Sequence, residues 1–132
     1  MPEGIPYSSQ NVASAGKELN YVGTHCYAYS GEVDVANTEL YLLNFTSGKE
    51  YITGKVQLGS KAGENEDYEF KIYFNDVIVF STVFGNQSHN EIGAWPIPLL
   101  IPPMTGVKMS LDNIADTDSR TWTVGLTGKL HS

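Results

Sequence analysis

Few residues in this chain are of the kinds that carry chemistry. It has three histidines, His25, His89 and His131, and one cysteine, Cys26. Metal-binding histidines commonly recur at short helical or strand spacing, and no two of these do. A single cysteine excludes an intrachain disulfide and a multi-cysteine zinc site. The stretch DNIADTD offers hard oxygen ligands of the type calcium takes, at Asp112, Asn113, Asp116 and Asp118. It lacks the ligand order and turn glycine of an EF-hand, and it reads better as a solvated hairpin loop. Glycoside hydrolysis needs only two carboxylates at a set separation. Fifteen Asp and Glu residues on a small domain bring such pairs together by chance. No nucleophile elbow, phosphate-cradling glycine loop or dinucleotide fingerprint is present. The expectation is therefore no catalytic residue, no bound metal and no cofactor.

The aromatic residues make a second candidate. Tyr27, Tyr29, Tyr51, Tyr73, Trp95 and Trp122 raise carbohydrate binding, because sugar faces stack on exposed rings. Trp122 lies in an alternating segment and is expected in the core. Trp95, beside prolines, is the better exposed or interfacial ring. The acidic run Glu64 to Asp67 reads as a solvated loop tip rather than a recognition patch. Asn44 and Asn86 head glycosylation sequons, which matter only in a secreted eukaryotic protein.

Bulk composition narrows the classes. The chain has 132 residues, enough for one domain with its own core. Eight Lys and Arg against fifteen Asp and Glu give a net charge of −7. Nucleic acid and anionic membrane both demand clustered cations, so neither is an expected partner. The N-terminal MPEGIPYSSQ has neither the basic nor the apolar region of a secretory signal. No apolar run approaches the ~20 residues of a membrane-spanning helix. Synthesis in a cytoplasm is the expectation.

Alternation of period two dominates from residue 25 onward. In HCYAYS, His25, Tyr27 and Tyr29 share one face, with Cys26 and Ala28 on the other. EVDVA turns Val33 and Val35 inward. TELYLLNFT is apolar on both sides, with Leu40 and Leu42 opposite Tyr41, Leu43 and Phe45. That pattern suggests a mid-sandwich strand or a subunit contact. EYITGKVQL aligns Ile52, Gly54, Val56 and Leu58. DYEFKIYF sets Tyr68, Phe70, Ile72 and Phe74 against Glu69, Lys71 and Tyr73. Asn75-Asp76 then reads as a tight hairpin into VIVFSTVF. GVKMSLDN points Val107, Met109 and Leu111 inward, and RTWTVGLTGKL does the same with Trp122, Val124 and Leu126. About eight strands at regular spacing predict an all-β, antiparallel β-sandwich that is jelly-roll-like. Residues 1–24 are expected to form an extended N-terminal arm or an irregular first strand, and 25–132 the single domain.

One segment resists this scheme. AWPIPLLIPPMTG, residues 94–106, is as apolar as a core strand but holds Pro96, Pro98, Pro102 and Pro103. Proline cannot donate a ladder hydrogen bond, so a central strand is disfavoured and an edge strand is predicted. Ile97, Leu99, Leu100 and Ile101 form that edge, with alternate side chains in the core. Those on its other face, together with Trp95 and with Tyr7 of the arm, are the candidate interface residues.

The C-terminal third carries a resemblance. Ile101-Pro102-Pro103, the alternating segment Val107–Asp112 followed by Asn113, and the ending Thr127-Gly128-Lys129 resemble β-sandwich virion proteins of tailed bacteriophages. The upstream FKIYFNDVIVF fits the same pattern, and the resemblance covers roughly residues 67–130. It implies a jelly-roll head-decoration, cement or spike-base subunit. Such a subunit would bind the major capsid protein and itself, with a homotrimer favoured, on the outer capsid surface of the virion. It would hold no catalytic residues. A carbohydrate-binding β-sandwich module is the alternative, with a glycan as its partner.

Overall fold

The computed structural model describes residues 18–60, 68–84, 96–114 and 120–132. The chain reverses at Asn75-Asp76, and its pairing spreads outward from that turn. Both residues have positive φ, 51° and 68°, as a two-residue type I′ turn requires, and Asn and Asp tolerate that region best after glycine. The turn joins β6 (Tyr68–Phe74) to β7 (Val77–Phe84). Next outward, β5 (Tyr51–Ser60) pairs with β8 (Ile97–Ile101). Then β4 (Leu40–Thr46) pairs with β9 (Gly106–Asn113). Outermost, β2 (His25–Tyr29) and β3 (Val33–Val35) both pair with β10 (Arg120–His131). The chain is one long hairpin, rolled up.

Two further pairings, β5 with β10 and β6 with β9, close the roll into two antiparallel sheets. One runs β1-β2-β10-β5-β8, with β3 beside β10; the other runs β4-β9-β6-β7. Counting β2 and β3 as one interrupted strand, this is the eight-stranded jelly roll expected from the alternation. The interruption has a local cause. Gly31 has φ 73°, where other residues are strained, and it bends the strand. Ser30 repairs the ladder there: its backbone N–H donates to Val124 O and its Oγ accepts from Val124 N, both at 2.9 Å. One strand is additional. Asn20–Val22 forms β1 and pairs with β2, so the end of the N-terminal segment is a short first strand. Residues 1–17 lie outside the described set.

The core fills the space between the sheets as the alternation requires. Phe70, Ile72, Val107, Met109 and Leu111 from one sheet face Ile52, Val56, Val124 and Leu126 from the other, all at most 1% exposed. Tyr68 and Trp122 pack against each other across the layers, tilted, at 4.9 Å between ring centroids, and Trp122 is 2% exposed, in the core as expected. β4 departs from the simple pattern. Its register against β9 shifts between Tyr41 and Leu43, and this bulge turns both Leu42 and Leu43 inward, each 0% exposed. The two-sided apolarity of TELYLLNFT is thus the signature of a bulge in the terminal strand of its sheet, not of a mid-sandwich strand.

Candidate functional site

The proline-bounded segment forms β8, the terminal strand of the six-stranded sheet. Its free side tolerates Pro98, which sits opposite Lys55 of β5. Alternate side chains of β8 turn toward the core, as expected of an edge strand. Ile101 is 0% exposed, and Ile97 and Leu99 pack against the core. These three face inward because they alternate with Pro98 and Leu100. Of the candidate contact residues that are described, Leu100 is the one turned outward, 58% exposed. Trp95 and Tyr7 lie outside the described residues.

The exit from β8 is clamped. Ser47, buried at the end of β4, donates from Oγ to Pro102 O at 2.7 Å and accepts from Thr105 N at 2.9 Å. Its backbone N–H donates to Thr105 O at 2.9 Å, and Met104 N donates to Gly48 O at 2.7 Å. Met104 accordingly holds a φ of 53°, a conformation that a non-glycine residue keeps only when its surroundings impose it.

A larger apolar surface escaped the sequence reading. β7 is the terminal strand of the four-stranded sheet, and it exposes Val77, Ile78, Val79 and Val83, the first by 63%. The other sheet edges among the described residues are blunted in ways that discourage pairing, β3 by a length of only three residues. β1 has only three residues, β8 carries Pro98, and β4 is bulged in its middle. β7 has eight residues with no charge and no proline. Its bulge against Ile72 and Tyr73 lies near its start. VIVFSTVF shows this composition in the sequence; its position at a sheet edge does not show there.

The outer face of the same sheet carries a polar cluster. Tyr73 Oη and Ser110 Oγ both donate to Glu39 Oε2 at 2.6 Å, with Lys71 Nζ 3.8 Å from that oxygen. Burial works against the Glu39 carboxylate, but the Ser110 and Tyr73 hydrogen bonds and Lys71 outweigh it and hold its pKa below the usual value. The same bond to Glu39 pushes the Tyr73 phenol far above its ordinary range. Asp112 stands beside them with its pKa raised, first by burial and then by the Glu39 and Glu69 charges. Ser110 is only 1% exposed, so this hydroxyl meets no substrate at an open surface. The cluster's physical work is to tie the entry of β4 to β6 and β9.

The histidines and acids singled out earlier do not converge. His25 lies on β2, while His131 stacks on Tyr51 at 4.9 Å, with Nε2 2.7 Å from Thr53 Oγ1. Asn113 is buried and Asp112 faces the polar cluster. His89, Asp116 and Asp118 lie outside the described residues, as does the acidic run 64–67. Among the described residues, no three His, Cys, Asp or Glu side chains are placed to hold a metal.

No family model and no curated protein matches this chain. Among solved structures it is similar to a subunit from the disulfide-linked pili of Bacillus endospore appendages. The identity is 9%, the match covers 95% of this chain and 100% of that one, and the TM-score is 0.49. A likeness at that level transfers neither activity nor partners.

Proposed function

We propose that this chain is a non-catalytic structural subunit that associates with copies of itself, of the kind that decorates or cements a virus capsid. The observation that carries the reading is β7, a long, uncharged and apolar edge strand on a protein that otherwise blunts its edges. An exposed edge of this kind is a template for strand addition. The proposed occupant is a second copy, because two uncharged β7 strands can pair without burying an ion. Two chains of net charge −7 repel one another, and β7 offers a neutral strip on which they can approach.

The virion assignment rests on the resemblance of residues 67–130 to phage virion proteins and on the jelly-roll topology, which also serves many unrelated roles. Sedimentation at micromolar concentration is the direct test. An oligomer is expected, and the paired substitution Ile78→Lys and Val83→Lys should convert it to a monomer with an unchanged melting temperature. A wild-type monomer, or an oligomer indifferent to both lysines, overturns the reading. Antibody labelling of purified particles should place the chain on the outer capsid, and its absence from particles would remove the virion assignment.

A further inference from the structure

The outer face of the six-stranded sheet carries two shallow, open depressions. Outer positions of β2, β10 and β5 alternate with the buried ones, so His25, Tyr27 and Tyr29 line up beside Thr123, Gly125, Thr127 and Lys129. Gly125 makes the first of these. A Cβ there would lie 2.8 Å from Tyr29 Cδ1, so the Tyr29 ring rests directly on the strand. Tyr29 is nevertheless 56% exposed, with one side of its ring supported by backbone and the other open to water. Tyr27 braces it at 5.6 Å between centroids. The groove beside this ring has a volume of about 460 Å³, and Gln57, Thr123 and Lys55 line it. A second groove of about 510 Å³ adjoins it at Lys55 and Thr127 and reaches His25 and Lys129. Both are open along their length, so a ligand would lie across the sheet rather than enter a cavity.

Charge selects among possible ligands. The chain is strongly acidic, yet Lys55 and Lys129 both line the second groove. Lys55 pairs across the strands with Thr127, two residues before Lys129. The two lysines are therefore diagonal neighbours, at about 7–8 Å between backbones. Among the described residues neither has an ion-pair partner. An open aromatic face, hydroxyl and amide groups along a groove, and two cations at its far end are complementary to a sugar chain bearing carboxylates.

We infer that this face binds an acidic oligosaccharide, stacking a sugar ring on Tyr29 and holding a carboxylate with Lys55 and Lys129. The inference does not depend on self-association, since the grooves lie on the opposite sheet from β7. The test uses the Ile78→Lys, Val83→Lys chain beside the wild type, on an array of uronate and sialylated oligosaccharides with neutral counterparts. Binding to carboxylated members in both proteins is expected, weakening as salt rises from about 0.05 to about 0.5 M. Lys55→Gln and Tyr29→Ala should each lower affinity by about tenfold or more, and Tyr29→Phe should retain it. The phenylalanine variant guards against misreading a fold defect, because it keeps the ring over Gly125. Silence across the carboxylated members, equal binding of neutral ones, or full affinity in a folded Tyr29→Ala protein would overturn the inference.

Discussion

Asp112 and Glu39 share one sheet face but pull stability in opposite directions with pH. Burial and the charges of Glu39 and Glu69 raise the Asp112 pKa, against a smaller opposing effect of Lys71. A carboxyl whose folded pKa lies above its unfolded value of about 3.9 destabilises the fold while it is charged. That cost is full above the folded pKa and vanishes below the unfolded one. Asp112→Asn should therefore raise the melting temperature at pH 7, and the advantage should shrink to nothing as pH falls below about 4. Glu39 behaves inversely. Its lowered pKa means stability that is present above its unfolded value and lost as pH falls through the folded one. Thermal melts of the wild type, Asp112→Asn and Glu39→Gln across that range separate the two. If Asp112→Asn is destabilising at pH 7, the strain assigned to Asp112 is wrong.

At the scale of elements, β8 gives the sharpest contrast. Leu99 and Leu100 are adjacent, alike in chemistry and opposite in direction. Leu99 packs on the core opposite Gly54, whereas Leu100 stands outward. Leu99→Asp should cost at least about 2 kcal/mol, because it removes apolar packing and places a carboxylate against the core. Leu100→Asp should change stability by no more than about 0.5 kcal/mol. Equal denaturation midpoints for the two would show that β8 does not alternate as described. Strands that carry no extra residue of their own were legible from alternation alone, as β6, β9 and β10 demonstrate, even where a partner bulges against them. The Asn75-Asp76 hairpin was equally legible, since its turn chemistry is local. The bulge in β4 was not, because Leu42 and Leu43 are both apolar and alternation cannot say which register β9 imposes. The edge position of β7 and the seat of Tyr29 on Gly125 were hidden for the same reason. Each depends on which distant strand becomes the neighbour, and period-two patterning is silent about neighbours.

For the whole molecule, the rolled hairpin orders the pairings by the chain they enclose. β6 and β7 close across two residues, β5 and β8 across that hairpin, and β2 with β10 across nearly everything. Loop-closure entropy grows with enclosed length, so the outer pairs gain most from inner pairs already formed. Most pairings join strands far apart in the chain, which predicts folding on the millisecond-to-second scale of other non-local β proteins. The turn should then act on the folding rate rather than on unfolding. Asp76 holds φ 68°, and glycine adopts that region without strain. It also pairs with Lys108 at 3.0 Å, but the aspartate is largely exposed, so little is lost with the carboxylate. Asp76→Gly should speed refolding by about two- to fivefold, the kinetic equivalent of roughly 0.5–1 kcal/mol expressed in the transition state, and leave unfolding nearly unchanged. Stopped-flow refolding and unfolding arms measure both on one protein. A change confined to the unfolding arm would mean that the hairpin closes late, and that the roll assembles from its outer strands inward.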